Sequence, residues 1–200
     1  MKIAYIMSPS KGDTDLVLAN LAEQLNEQGL RTCGVVQINM NAEDCEHPCD
    51  MDVQVLPDGP TIRISQSLGR EAKGCRLDPE ALEGAVAEVI KRLDNTIDVL
   101  ILNKFGKHEA DGRGFRDIIG EALSLGIPVI TGVNAMNLDA FQEFSGEYAT
   151  AVEPTVDALS GWIQYVLYKA GRAKVERCSN SYLSRNSGRI LDENVDKSII

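Results

Sequence analysis

The residues Asn103-Lys104-Phe105-Gly106-Lys107-His108-Glu109 follow directly on the apolar run Val99-Leu100-Ile101-Leu102. An apolar run that breaks into polar side chains is the pattern of a buried parallel strand delivering groups beyond its C-terminal end. Lys104 and Lys107 supply positive charge, and Arg113 and Arg116 follow at the expected start of the next helix. Helix N-termini favour anions and disfavour cations, so cations placed there are poorly explained by helix stability. A bound anion explains them; a solvated basic loop is the plainer alternative. Asn103 can donate a hydrogen bond, and Gly106 allows close backbone approach. His108, next to Glu109, has the chemistry of a general base, with a plain surface-loop histidine as the commoner reading.

A second candidate is the loop Met7-Ser8-Pro9-Ser10-Lys11-Gly12-Asp13-Thr14, placed between an expected strand and helix. A phosphate-binding P-loop has this placement, with two glycines and a terminal Gly-Lys-Ser/Thr. Gly12 and Thr14 match the second glycine and the hydroxyl residue. Met7 stands at the first glycine, and Asp13 stands where the lysine belongs. A like-charge contact at ~4 Å costs about 4 kcal/mol at an effective dielectric of ~20. Ordinary Mg-ATP binding is therefore disfavoured unless Lys11 supplies the missing cation. The competing reading is a plain strand-helix turn in which Asp13 or Thr14 caps the helix.

The third group is Cys45, His47, Cys49 and Cys75, a possible four-ligand set for zinc or another thiolate-bound metal. Small buried cysteines are the alternative. Five cysteines in all, with no evident export signal, argue against a disulfide framework. Cys75 beside Arg76 leaves a redox role open.

These groups need a scaffold. The 200 residues are 44% hydrophobic and carry a net charge of −10. That charge, with 5% aromatic residues, argues against nucleic-acid partners. No apolar run approaches the ~18 residues of a membrane span, so a cytoplasmic protein without membrane insertion is expected. The charge is uneven: residues 63–116 carry ten basic and nine acidic side chains, and the rest of the chain is strongly acidic. An anionic small molecule belongs in that middle region.

Strands are expected at 2–7, 32–38, 97–102 and 127–133, with a weak one near 148–152. Helices are expected after Asp13, from Pro79, from Phe115 to Gly126, near 138–144, and from Pro154 to Lys169. Strand-helix-strand order favours a parallel sheet. Residues 53–56 and 61–65 flank Pro57-Asp58-Gly59-Pro60 and predict an inserted β-hairpin. Ile90 belongs to the expected apolar stripe of the second helix; Trp162 and Tyr165 are expected in the core, with a subunit interface as the alternative. The expected unit is one domain over 1–177 with a polar tail over 178–200. For the tail, disorder and ordering against a second subunit in a homo-oligomer are both open.

The segment Leu100 to Glu109, followed by a helix and Ile127-Pro128-Val129-Ile130-Thr131-Gly132-Val133, resembles the Walker B region of the cancer-related nucleoside-triphosphatase family. Gly106 and Glu109 match; Asn103 replaces the magnesium-associated Asp and Lys104 the catalytic Glu. Cys49-Asp50-Met51-Asp52, Ile62-Arg63-Ile64-Ser65-Gln66, Gly74-Cys75-Arg76-Leu77-Asp78 and Asn103 to Lys107 resemble an uncharacterised bacterial family often encoded beside molybdate-transport genes. The resemblances imply a three-layer α/β domain with a mostly parallel sheet of P-loop NTPase-like topology. Residues and resemblance together suggest a non-hydrolysing binding or accessory protein for a small anion. That anion would be a nucleotide or an oxyanion such as molybdate, with a link to molybdenum metabolism. Lys11, Gly12, Asp13, Thr14, Asn103, Lys104, Gly106, Lys107, Glu109 and Arg113 would form its site. The alternatives are a nucleoside phosphohydrolase using a Mg-nucleotide, with Glu109 or Asp13 positioning water or metal, and a thiol-based metal-binding protein.

Overall fold

The computed structural model describes residues 2–8, 12–38, 51–66 and 77–172. In chain order the elements are β1 (Ile3–Ile6), α1 (Asp13–Glu27), β2 (Thr32–Ile38), β3 (Asp52–Val55), β4 (Thr61–Arg63), α2 (Pro79–Ile90) and β5 (Val99–Phe105). There follow α3 (Lys107–Ala110), α4 (Arg116–Ser124), β6 (Val129–Val133), α5 (Leu138–Ser145), β7 (Ala149–Ala151) and α6 (Val156–Lys169). Seven strands form one sheet in the order β4-β3-β2-β5-β6-β1-β7. The β2–β5, β5–β6, β6–β1 and β1–β7 pairs are parallel, and β2–β3 and β3–β4 are antiparallel.

Alternation along the strands splits the core into two layers. Leu100, Leu102, Val35 and Val53 face α2, α4 and α5. Val99, Ile101, Ile6 and Ile130 face α1 and α6. Helices on both sides of a mostly parallel sheet give the expected three-layer architecture. The hairpin is present, and β3 and β4 extend the sheet beyond β2 as its antiparallel edge.

Several local expectations are corrected. Gly12, with φ 87°, is the N-cap of α1, and no side chain caps that helix. Asp13 and Thr14 therefore lie inside its first turn rather than capping it. The last helix begins at Val156 rather than Pro154, capped by Thr155, whose hydroxyl accepts from the Ala158 N–H. Asn103 and Lys104 belong to β5 itself rather than to a loop. Arg113 lies between α3 and α4, and Arg116 opens α4. Ile90 and Tyr165 are exposed, while Trp162 is partly buried against the α1–α6 layer.

Gly34 shows why the sheet can close at its centre. It has φ +116° in β2 and lies opposite Ile101 of β5. A Cβ at Gly34 would overlap the Ile101 carbonyl oxygen. Only glycine meets both demands at low cost. Gly34→Ala is expected to destabilise the domain by about 3 kcal/mol or more. Urea unfolding checks this; an unchanged midpoint would contradict the assigned β2–β5 approach.

Candidate functional site

The site is built on the last residues of β5. Strict alternation after Leu100 and Leu102 would bury Lys104. Instead the β5–β6 register shifts between Leu102 and Phe105. Phe105 takes the buried place in the layer of Leu100 and Leu102, and the Lys104 side chain stays 46% exposed. A bulge at the end of a strand thus re-aims a charged side chain.

Asn103 and Lys104 converge on Asp15, in the first turn of α1. Asn103 Nδ2 donates to Asp15 Oδ1 at 2.9 Å, and Lys104 Nζ lies 3.5 Å from the same oxygen. Asn103 Oδ1 accepts from the Gln37 N–H at 3.1 Å, which ties β2 to the same point. Asp15 is buried at 5% exposure. A buried carboxylate stripped of partners would cost several kcal/mol, so these contacts hold the start of α1 against β5. Gly132 of β6 completes the junction: a Cβ there would strike the Thr14 methyl at 2.5 Å and the Asn103 carbonyl oxygen at 2.7 Å.

Glu109 is turned inward at 4% exposure. Its Oε2 accepts from the Gly106 N–H at 2.9 Å and its Oε1 from the Phe115 N–H at 3.1 Å. Arg116 donates to the Glu109 carbonyl at 3.1 Å and stacks over Phe144, 4.4 Å from the ring centre. Glu109 therefore braces residues 106–115. The signal for this was the spacing: an acid three residues after an N-cap reaches back to the cap N–H.

Beyond the end of β5 lies a cleft of about 450 Å³. Residues from β2, the β3–β4 hairpin and α2 form its walls, including Val35, Val53, Ile64 and Leu82. Asn103, Lys104, Gly106, Lys107, Glu109 and Arg113 all line it, and His108 joins them. Arg113 pairs with Asp111 at 3.4 Å. Lys107 makes no ion pair among the described residues. Gly12, Asp13 and Thr14 do not line this cleft. They lie at the start of α1, where Ser8 Oγ donates to Asp13 Oδ2 at 3.2 Å. Asp15, the residue after Thr14, meets both Asn103 and Lys104, so the start of α1 abuts the end of β5. Lys11, Cys45, His47, Cys49 and Cys75 lie outside the described residues.

Among the described residues no cluster of three His, Cys, Asp or Glu side chains could hold a metal. Nor does the place of a P-loop magnesium ion fit one: β5 offers an amide and an ammonium, and both already engage Asp15. Cys33 is a core residue, with its thiol 3.8 Å from the Val89 carbonyl, and burial pushes its pKa up to about 11. It is no metal ligand or reactive thiol.

The family model for a protein of unknown function, DUF2478, matches residues 3–162. The chain belongs to the DUF2478 family. It is also similar to the molybdenum import ATP-binding protein ModC 2 of Bradyrhizobium diazoefficiens, at 33% identity over 162 residues. That match covers 80% of this chain and only 18% of the relative's length. Two solved structures share the fold. THEP1 from Aquifex aeolicus superposes with a TM-score of 0.58 at 16% identity, covering 84% of this chain and 98% of that one. A human cancer-related nucleoside triphosphatase does so with a TM-score of 0.60 at 13% identity, covering 87% and 100%. The DUF2478 domain thus has the fold of the triphosphatases its β5 segment resembles.

Asn103→Asp would put a second carboxylate beside Asp15 and remove the donor between them. Destabilisation of about 2–4 kcal/mol is expected at pH 7.5. The paired carboxyls bind a proton more readily in the folded state than in the unfolded chain. Stability should therefore return at pH 5 and fall as the pH rises. Urea unfolding at both pH values checks this; wild-type stability at pH 7.5 would show that Asn103 and Asp15 are not in contact.

Proposed function

We propose that this DUF2478 domain is a non-hydrolysing binding module for a small anionic ligand, with its site in the cleft at the end of β5. One observation carries the proposal: in a chain of net charge −10, Lys104, Lys107 and Arg113 gather at one cleft beyond a parallel strand. Lys107 is the strongest candidate contact, because no described acid pairs with it. Gly106 permits backbone approach, and Asn103 and Lys104 set the floor. Gly12, Asp13 and Thr14 serve in this reading to anchor α1 rather than to cradle phosphate. Lys11 stays a candidate from the first-strand loop.

The non-hydrolysing character follows from what stands at the chemical positions of the resembling motifs. Asp13 replaces the cation, Asn103 and Lys104 replace the acids, and Glu109 is committed to two backbone N–H groups. The ligand class spans nucleotides and oxyanions such as molybdate. An accessory role in molybdenum import is suggested by the similarity to the molybdenum import ATP-binding protein ModC 2. The domain unit in this reading is 1–177, and its partner is a small molecule rather than nucleic acid. Cytoplasmic residence accords with the described helices, none of which is long and apolar enough to cross a membrane.

A thermal-shift panel of ATP, GTP, phosphate, sulfate, molybdate and tungstate tests the reading. At 100 times Kd a ligand adds about 2.7 kcal/mol, or roughly 5–10 °C for a domain of this size. Lys107→Ala should leave the free protein's melting temperature unchanged and remove most of the ligand-induced shift. A shift that survives Lys107→Ala would place the anion elsewhere. Phosphate release from a nucleotide by the purified protein would favour the phosphohydrolase alternative.

A further inference from the structure

The cleft has more room and more apolar wall than a bare oxyanion can use. A tetrahedral oxyanion occupies on the order of two water volumes, roughly 60 Å³. The cleft measures about 450 Å³, within the usual range for organic ligands. An oxyanion alone would leave the half-buried Met51 and Leu77 facing water; the other apolar lining, Val35, Val53, Ile64 and Leu82, belongs to the core. These residues come from β2, the hairpin and α2, so the apolar wall is continuous across three elements.

The polarity is also one-sided. Lys104, Lys107, His108 and Arg113 all come from the β5–α4 segment, whereas the apolar lining comes mainly from β2, the hairpin and α2. The two acids on that segment are engaged: Glu109 by the Gly106 and Phe115 N–H groups, Asp111 by Arg113 at 3.4 Å. An entering anion thus meets cations from one segment and hydrocarbon from the others.

Resting on the anion-binding reading above, we infer that the ligand is an organic anion: an apolar, ring-sized body with its anionic group at the β5–α4 end. The body fills the space between the hairpin and α2, and the anionic group meets Lys107. Phosphate or molybdate alone satisfies only the second half of this arrangement.

Isothermal titration of the full chain, in EDTA, with phenyl phosphate, AMP, inorganic phosphate and molybdate tests the inference. Phenyl phosphate carries the same anionic group as phosphate plus an apolar ring. Burying that ring should tighten binding by about tenfold or more. AMP should likewise exceed phosphate. Leu77→Trp, a half-buried position that can fill the cleft, should weaken phenyl phosphate and AMP about tenfold and leave phosphate unchanged. Met51→Trp approaches the same space from the hairpin side and serves if Leu77→Trp does not fold. Phosphate or molybdate binding as tightly as the organic anions, with dependence on Lys107, would overturn the inference and leave the anion-binding reading intact. No binding by any of the four would overturn both.

Discussion

The Asp15 carboxylate holds the site together. It is buried in the first turn of α1, and its Oδ1 is met by the Asn103 amide at 2.9 Å and the Lys104 ammonium at 3.5 Å. Removing either partner leaves a carboxylate with too few contacts in a dry place, which is the costly half of any buried ion pair. The contact fixes the distance between α1 and the end of β5. Asn103, which bonds it, also accepts from the Gln37 N–H of β2 at 3.1 Å. The cleft walls on β2 and the cations beyond β5 are held in register by this one group.

Charge has changed places across the junction relative to the triphosphatase motifs that the segments resemble. The helix side carries Asp13 and Asp15, where a P-loop carries a lysine. The strand side carries Asn103 and Lys104, where the resembling motif carries two acids. The exchange keeps an attraction between helix and strand but reverses its direction. The bulge before Phe105 makes this workable, because without it Lys104 would point into the hydrocarbon layer of Leu100 and Leu102.

Much of the scaffold was legible in the sequence. The apolar runs at Val99–Leu102 and Ile127–Val133 carry the parallel strands, and Pro57-Asp58-Gly59-Pro60 marks the hairpin. The cationic cluster from Lys104 to Arg113 was legible because it stands out in an acidic chain. What was not legible depends on three-dimensional pairing. Asp15 carries no signal of its role in the sequence, since nothing local says that Asn103, 88 residues away, will bond to it. Glu109 reads as a group that could position water or Mg²⁺ in a hydrolase, although its spacing from Gly106 also fits a capping acid. The first-strand loop and the β5 cluster read as one site because both follow strands of the same sheet. The sheet order places β6 between β1 and β5, and Asp15 reaches across it to Asn103. Gly12 rather than Asp13 caps α1 because its left-handed backbone makes the turn without any side chain.

The central claim is that the protein's own cations, and not a bound metal, meet the anion at the end of β5. The most direct test is isothermal titration of ADP into the purified chain in EDTA and again in excess Mg²⁺. The account predicts binding in EDTA that is as tight as in Mg²⁺ or tighter, since Lys107 meets the free anion and Mg²⁺ competes for it. Binding that requires Mg²⁺ would contradict it, and would mean that acids near Asp15 hold a metal after all.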